Sequence, residues 1–128
     1  MQRARAPHGV LVVDLVARAV GCVTLDSGTL YVAQALRTPA ISLWGSHDPG
    51  VRIGYDKDYM DLAIWNQPSC RMSPCFAYSQ FPEHKCSDGA AQTCCDVLAS
   101  VSAEQVMQKM DMIESKNVVL KKFQPAKG

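Results

Sequence analysis

The sequence predicts an α/β domain built on a parallel sheet, and three observations carry that reading. Two short apolar runs, Gly21–Leu25 and Pro39–Trp44, are closed by turn residues, Asp26-Ser27-Gly28 and Gly45, as strands buried on both faces tend to be. Between them, Thr29–Leu36 sets Leu30, Ala33 and Leu36 about three apart among good helix formers and stops at Thr38-Pro39. Strand, helix and strand within so short a stretch make a βαβ unit, whose right-handed crossover lays the helix over one face of the sheet. The length of 128 residues fits one such domain and leaves no room for two.

The elements follow in order. Gly9–Ala19 reads as a helix, because Val12, Val13, Val16 and Val20 fit one stripe while Asp14 and Arg18 share a polar face at i,i+4 spacing; its β-branched richness would also suit a strand. After the βαβ unit, Gly45–Asp58 is rich in Gly, Pro, Asp and Ser and is expected to be loop. Met60–Trp65 is a candidate third strand, followed by a cysteine-bearing loop over 66–95. The final element is a helix running to about Ser115. It is announced by the capping box Ser102-Ala103-Glu104-Gln105, by Val101 and Val106 placed as a hydrophobic staple, and by a core stripe of Val106, Met110 and Ile113. The organisation is thus a flexible basic N-terminus over 1–9, a domain over 10–115 and a basic tail over 116–128.

Composition narrows the function classes. With 48% hydrophobic residues and a formal net charge of +1, neither a self-repelling coil nor a strong cationic field is present, which argues against disorder and against nucleic acid as partner. Charge is uneven, however: +2 over 1–20, −5 over 21–115 and +4 over 116–128. The basic ends are either solvated tails or, at most, a peripheral contact with an anionic membrane face. No apolar run approaches the length of a membrane span, since Val10–Val13 is broken by Asp14, and no signal-peptide cleavage pattern follows it, so the expected location is cytoplasmic.

Of the six cysteines, Cys22 lies in an apolar run and reads as a small buried hydrophobe. Cys70, Cys75, Cys86, Cys94 and Cys95 cluster without C-x2-C knuckles. The open alternatives are a loop whose thiols pack without metal and a cysteine metal site using Cys70, Cys75, Cys86 and Cys94.

In an open parallel sheet, ligands bind beyond the carboxyl ends of the strands, where helix N-termini present N–H groups. Two such ends carry suggestive residues. At Asp26-Ser27-Gly28-Thr29, Gly28 permits close backbone approach, Ser27 and Thr29 offer hydroxyls, and the helix start suits a phosphate or diphosphate. Asp26 would repel phosphate and suits sugar hydroxyls or the turn backbone; Asp and Ser are equally common caps with no ligand. At Trp44-Gly45-Ser46-His47-Asp48-Pro49, Trp44, Gly45 and His47 form either the wall of a nucleotide pocket or a buried Trp beside a surface turn.

These residues resemble a known family. Val20–Gly45, with its Asp-Ser-Gly, Leu-Tyr-Val-Ala-Gln-Ala-Leu and Thr-Pro-Ala-Ile-Ser-Leu-Trp-Gly followed by Asp-Pro, looks like the C-terminal domain of the lipopolysaccharide heptosyltransferases, glycosyltransferase family 9. The likeness extends over roughly 10–115, through the cysteine loop to the Ser-x-Glu-x-Val helix at Ser102–Val106. It implies part of the C-terminal half of a GT-B fold, two Rossmann-like domains of which the C-terminal one binds the nucleotide-sugar donor. Asp26, Ser27, Gly28 and Thr29 would then hold the donor's diphosphate and sugar, with the Trp44–Pro49 loop nearby. The implied reaction inverts the anomeric centre without metal or other cofactor, placing a heptose or related sugar on a lipopolysaccharide acceptor. Where the family has His three residues after the glycine, this chain has Tyr31, a neutral phenolic donor. The acceptor site and catalytic base belong to an N-terminal domain, here expected on another chain or met by self-association. Two other classes stand beside this one: a non-catalytic interaction module pairing with another chain, and the cysteine metal module.

Overall fold

The computed structural model describes residues 8–66 and 96–115. The expectations for the basic ends and for Cys70, Cys75, Cys86, Cys94 and Cys95 lie outside the described residues.

Three parallel strands, β1 (Cys22–Leu25), β2 (Ala40–Leu43) and β3 (Ala63–Ile64), stand in the order β1-β2-β3. Cys22 faces Ala40 and Leu25 faces Leu43 across the first pair; Ser42 faces Ala63 across the second. The expected strands are trimmed at their ends for a reason visible in the chain. Pro39 has no N–H for the ladder, yet its carbonyl accepts from Cys22 N at 2.9 Å and so begins the pairing. The third strand shrinks most. Met60 ends a helical turn and 61–62 are a turn, leaving two residues paired.

The connection β1–α2–β2 is the expected βαβ unit, with α2 spanning Gly28–Leu36. The loop expected over Gly45–Asp58 instead contains two short helices, α3 (Pro49–Ile53) and α4 (Lys57–Met60). The first is signalled by Asp48-Pro49: the Asp48 carboxylate accepts from Gly50 N at 2.7 Å, and proline fits the first helical turn, whose N–H has no partner to lose.

Along β2 the side chains alternate between faces. Ala40 and the following Trp44 join Leu30 and Ala33 of α2, Ile53 of α3 and Tyr59 of α4 in the main core. Ile41 lies opposite, towards α6 (Ala103–Ser115), which follows the short α5 (Asp96–Ala99). The expected capping box is present in both directions, Gln105 N donating to Ser102 Oγ at 3.2 Å and Ser102 N to Gln105 Oε1 at 3.0 Å. The core stripe of α6 is only half realised. Met110 and Ile113 border an open, mainly apolar cavity of about 190 Å³ with Val20, Val23 and Ile41, and Met110 remains exposed.

The first helix, α1 (His8–Arg18), forms as expected and carries the Arg18–Asp14 pair at 3.0 Å. Its stripe is corrected: Val16 alone of Val12, Val13 and Val16 is buried, and Val20 falls beyond the helix with 80% of its surface exposed. The reason is that α1 packs mainly on α2, docked where Thr38 Oγ1 donates to Val16 O at 2.9 Å. Val23 and Leu25 of the edge strand β1 are also half exposed, giving an apolar edge of a kind parallel sheets normally cover. No described helix is long and apolar enough to cross a membrane.

Candidate functional site

The carboxyl ends of β1 and β2 open side by side. Beyond β1 the chain turns through Asp26 and Ser27 into α2. Ser27 sits at the N-cap with extended backbone (φ −150°, ψ 172°), yet its hydroxyl makes no capping bond; it lies 3.2 Å from Thr24 Oγ1 instead. The first N–H groups of a helix have no intrahelical partner, and here the Ser27 side chain supplies none, although Leu30 N reaches Ser27 O at 3.0 Å. A Cβ on Gly28 would meet nothing within 4 Å. The fold itself therefore does not require glycine there, and the space above the turn is clear.

Tyr31, one turn into α2, points back to the strand end and donates its hydroxyl to Asp26 Oδ1 at 3.0 Å. Partial burial first, then the bond to Asp26 and its charge, push the phenol above its usual pKa, while Arg52 of α3 pulls it the other way. Tyr31 is thus a neutral donor already tied to the turn's carboxylate.

Beyond β2, Gly45, Ser46 and His47 lead to the Asp48 cap. The Gly45 carbonyl accepts from Trp65 Nε1 at 3.1 Å, and His47 Nδ1 lies 3.0 Å from Ser46 Oγ, so this loop is fastened to the end of β3. Trp44 is wholly buried, its indole N–H donating to Ser42 Oγ at 2.7 Å. Of the two sequence readings of Trp44, the buried one describes its position: it supports the loop from beneath. Asp26, Ser27, Gly28, Thr29 and Tyr31 come together at one strand end, with Gly45 and His47 at the next.

Two features escaped the sequence reading. One is Arg52, whose positive charge opposes the rise of the Tyr31 phenol; its only signal was the Asp48-Pro49 helix start, which places it in the last turn. The other is a latch at the far end of α2. Arg37 ends that helix in the left-handed region (φ 57°), where a Schellman pairing sends Arg37 N to Gln34 O and Thr38 N to Ala33 O. Its guanidinium binds Asp56 at 2.7 Å and Asp58 at 3.0 Å and lies over the Tyr59 ring, 5.1 Å from the centroid. Tyr59, fully buried, shares its one hydroxyl proton between Ala33 O and Thr38 O, each at 2.9 Å, and burial pushes its phenol up to about 12.

Among the described residues no group of three or more His, Cys, Asp or Glu side chains is placed to hold a metal ion. Cys22 is reduced and half buried, and burial raises its thiol pKa, as suits a packing residue. The family model for glycosyltransferase family 9 (heptosyltransferase) matches residues 11–81, more than half of the chain, and spans both strand ends; α6 lies beyond it. Neither curated proteins nor solved structures give a significant match.

Proposed function

Since the chain belongs to glycosyltransferase family 9, we propose that the carboxyl ends of β1 and β2 bind a nucleotide-diphosphate sugar, and that the domain is the donor half of a GT-B transferase acting on a lipopolysaccharide or related glycan. The observation that supports this most is the start of α2, left uncapped by the Ser27 side chain, beside the Tyr31–Asp26 pair. The helix N–H groups, with the Ser27 and Thr29 hydroxyls, would receive the diphosphate, and Asp26 would accept from sugar hydroxyls. Gly45 and His47 would flank the nucleotide.

In an inverting transfer the acceptor hydroxyl attacks the anomeric carbon opposite the nucleoside diphosphate. The bond to the leaving phosphate oxygen breaks with its electron pair, and the acceptor proton passes to a base. N–H donors fixed at the leaving oxygens stabilise the charge that develops there, which is the contribution this half would make. Acceptor and base would come from a second body covering the apolar edge of β1, either an N-terminal domain on another chain or a second copy.

Calorimetry of the purified chain with ADP, GDP and UDP tests the reading. One of the three should bind, and Asp26→Ala should weaken it by about tenfold, the loss of one hydrogen-bonding group of roughly 1.4 kcal/mol. Absence of binding by all three overturns the proposal.

A further inference from the structure

We propose that the apolar groove between α6 and β1 is filled by residues 116–123 of the same chain, which continue directly from α6 and lie outside the described residues. Parallel sheets are covered on both faces, and α2 covers one face of the β1–β2 pair. On the other face Val23 stands beside Ile41 and Leu25 beside Leu43, so the four side chains form one apolar patch. Helix α6 covers only part of it. Ile41 is 1% exposed, whereas Val23 and Leu25 are each 50% exposed, and Met107 and Met110, one turn apart on α6, are exposed at 54% and 37%. The open cavity of about 190 Å³ lies between α6 and β1, with Ile113 and Glu114 on its border.

The direction of α6 decides which part of the chain reaches this groove. Its first turn is tied to the carboxyl end of β3, where Asn66 and Gln105 exchange amide hydrogen bonds at 3.0 and 2.9 Å. Its last turn lies at the start of β1, where Ile113 Cδ1 stands 3.4 Å from the position of a Cβ on Gly21. The helix therefore runs back against the strands and releases the chain at the head of β1, beside the groove. Residues 67–95 begin and end at the opposite corner, since Asn66 also donates to Ser100 Oγ at 3.1 Å. Residues 1–7 enter through α1, which packs on α2 across the sheet.

Length, composition and charge of the tail agree with this placement. Five strand residues, Gly21–Leu25, extend roughly 16 Å, and eight extended residues reach at most about 28 Å. The tail brings Val118-Val119-Leu120 and Phe123, apolar side chains for an apolar face. It also brings Lys116, Lys121 and Lys122 to a domain whose residues 21–115 carry a charge of −5, with Glu114 on the rim of the groove. A segment tethered at the rim is present at an effective concentration on the order of millimolar, so it fills the groove ahead of a second copy at micromolar protein. The hydrogen-bonding edge of β1 is a separate surface, and the second body proposed above keeps it.

Tryptic cleavage after Lys121 and Lys122 of the full chain tests this, read by mass spectrometry and divided by the rate for a synthetic peptide of the same residues 114–128. The wild-type ratio should lie about tenfold or more below one, because a docked segment is cut only when it opens. Val119→Asp in the tail and Met110→Asp in the groove, each folded by circular dichroism, should both bring the ratio close to one. The wild-type ratio should also be independent of protein concentration. A wild-type ratio near one overturns the proposal. Protection that survives Met110→Asp places the tail elsewhere and overturns it too, and protection that grows with protein concentration gives the groove to a second copy instead.

Discussion

Replacing Tyr59 by Phe removes one oxygen and leaves the ring under Arg37 in place, so the change isolates the hydroxyl. That hydroxyl's single proton is shared between two carbonyls, each 2.9 Å away, in a region closed to water. The two losses are unequal. Ala33 O keeps Thr38 N as a donor at 3.0 Å, whereas no other donor to Thr38 O is evident among the described residues. One re-satisfied and one stranded acceptor correspond to about 1–2 kcal/mol, the middle of the range for a lost buried hydrogen bond. With a urea slope of about 1–3 kcal/mol per molar for small proteins, the midpoint should fall by roughly 0.3–2 M with the slope unchanged. Equilibrium denaturation followed by the fluorescence of the buried Trp44 measures this. The alkaline limb gives a second reading. The folded-state phenol titrates near 12 against 10.0 for the unfolded chain, so its stabilisation is complete below pH 10 and is lost as pH rises towards 12. Tyr59→Phe should lack that component of the alkaline decline. A midpoint within 0.1 M of wild type, or identical alkaline limbs, would refute the latch.

The same latch separates two substitutions at Arg37. Both Arg37→Ala and Arg37→Gly lose the Asp56 and Asp58 pairs and the contact over Tyr59, but glycine adopts φ 57° without strain. Arg37→Gly should therefore unfold at higher urea than Arg37→Ala, by about 1 kcal/mol. Ser42→Ala strands the Trp44 indole N–H in the core, since both residues are fully buried, and should lower stability by about 1–3 kcal/mol in the same assay.

What was legible in the sequence was whatever is decided locally. The βαβ unit was, because alternating apolar runs and turn residues are written along the chain, and so was the capping box, whose partners lie three residues apart. The grouping of Asp26, Ser27, Gly28 and Thr29 followed from adjacency to a strand end. Illegible were the features closed by distant parts of the chain. Arg37 is nineteen residues from Asp56, and Tyr59 is twenty-six from Ala33, so neither announces a latch. Trp44 stood undecided between pocket wall and core because composition does not reveal Ser42 as its partner on the same face. The short α3 and α4 were hidden by Gly, Pro and Asp, residues that signal loop when counted and helix starts when read in order.

Helix α2 joins the scaffold to the candidate site, and its two ends differ in kind. The far end is held by Arg37, Thr38 and Tyr59 in buried or half-buried contacts, whereas the near end meets solvent through Ser27, Gly28 and an exposed Tyr31. At 1.5 Å per residue the nine residues separate these ends by roughly 13 Å, further than hydrogen bonds reach and about as far as a screened charge acts. Stability and binding should therefore separate by residue. Tyr59→Phe, kept cold enough to remain folded, should bind nucleoside diphosphate within twofold of wild type while unfolding early in urea. Tyr31→Phe breaks an exposed bond to Asp26 and should leave the urea midpoint nearly unchanged, because an exposed hydroxyl regains water on release. It should nonetheless weaken binding several-fold, since it removes the bond that holds Asp26 beside the start of α2. If the two variants instead lost stability and binding in parallel, α2 would be acting as one cooperative switch, and the division between latch and site drawn from its contacts would be wrong.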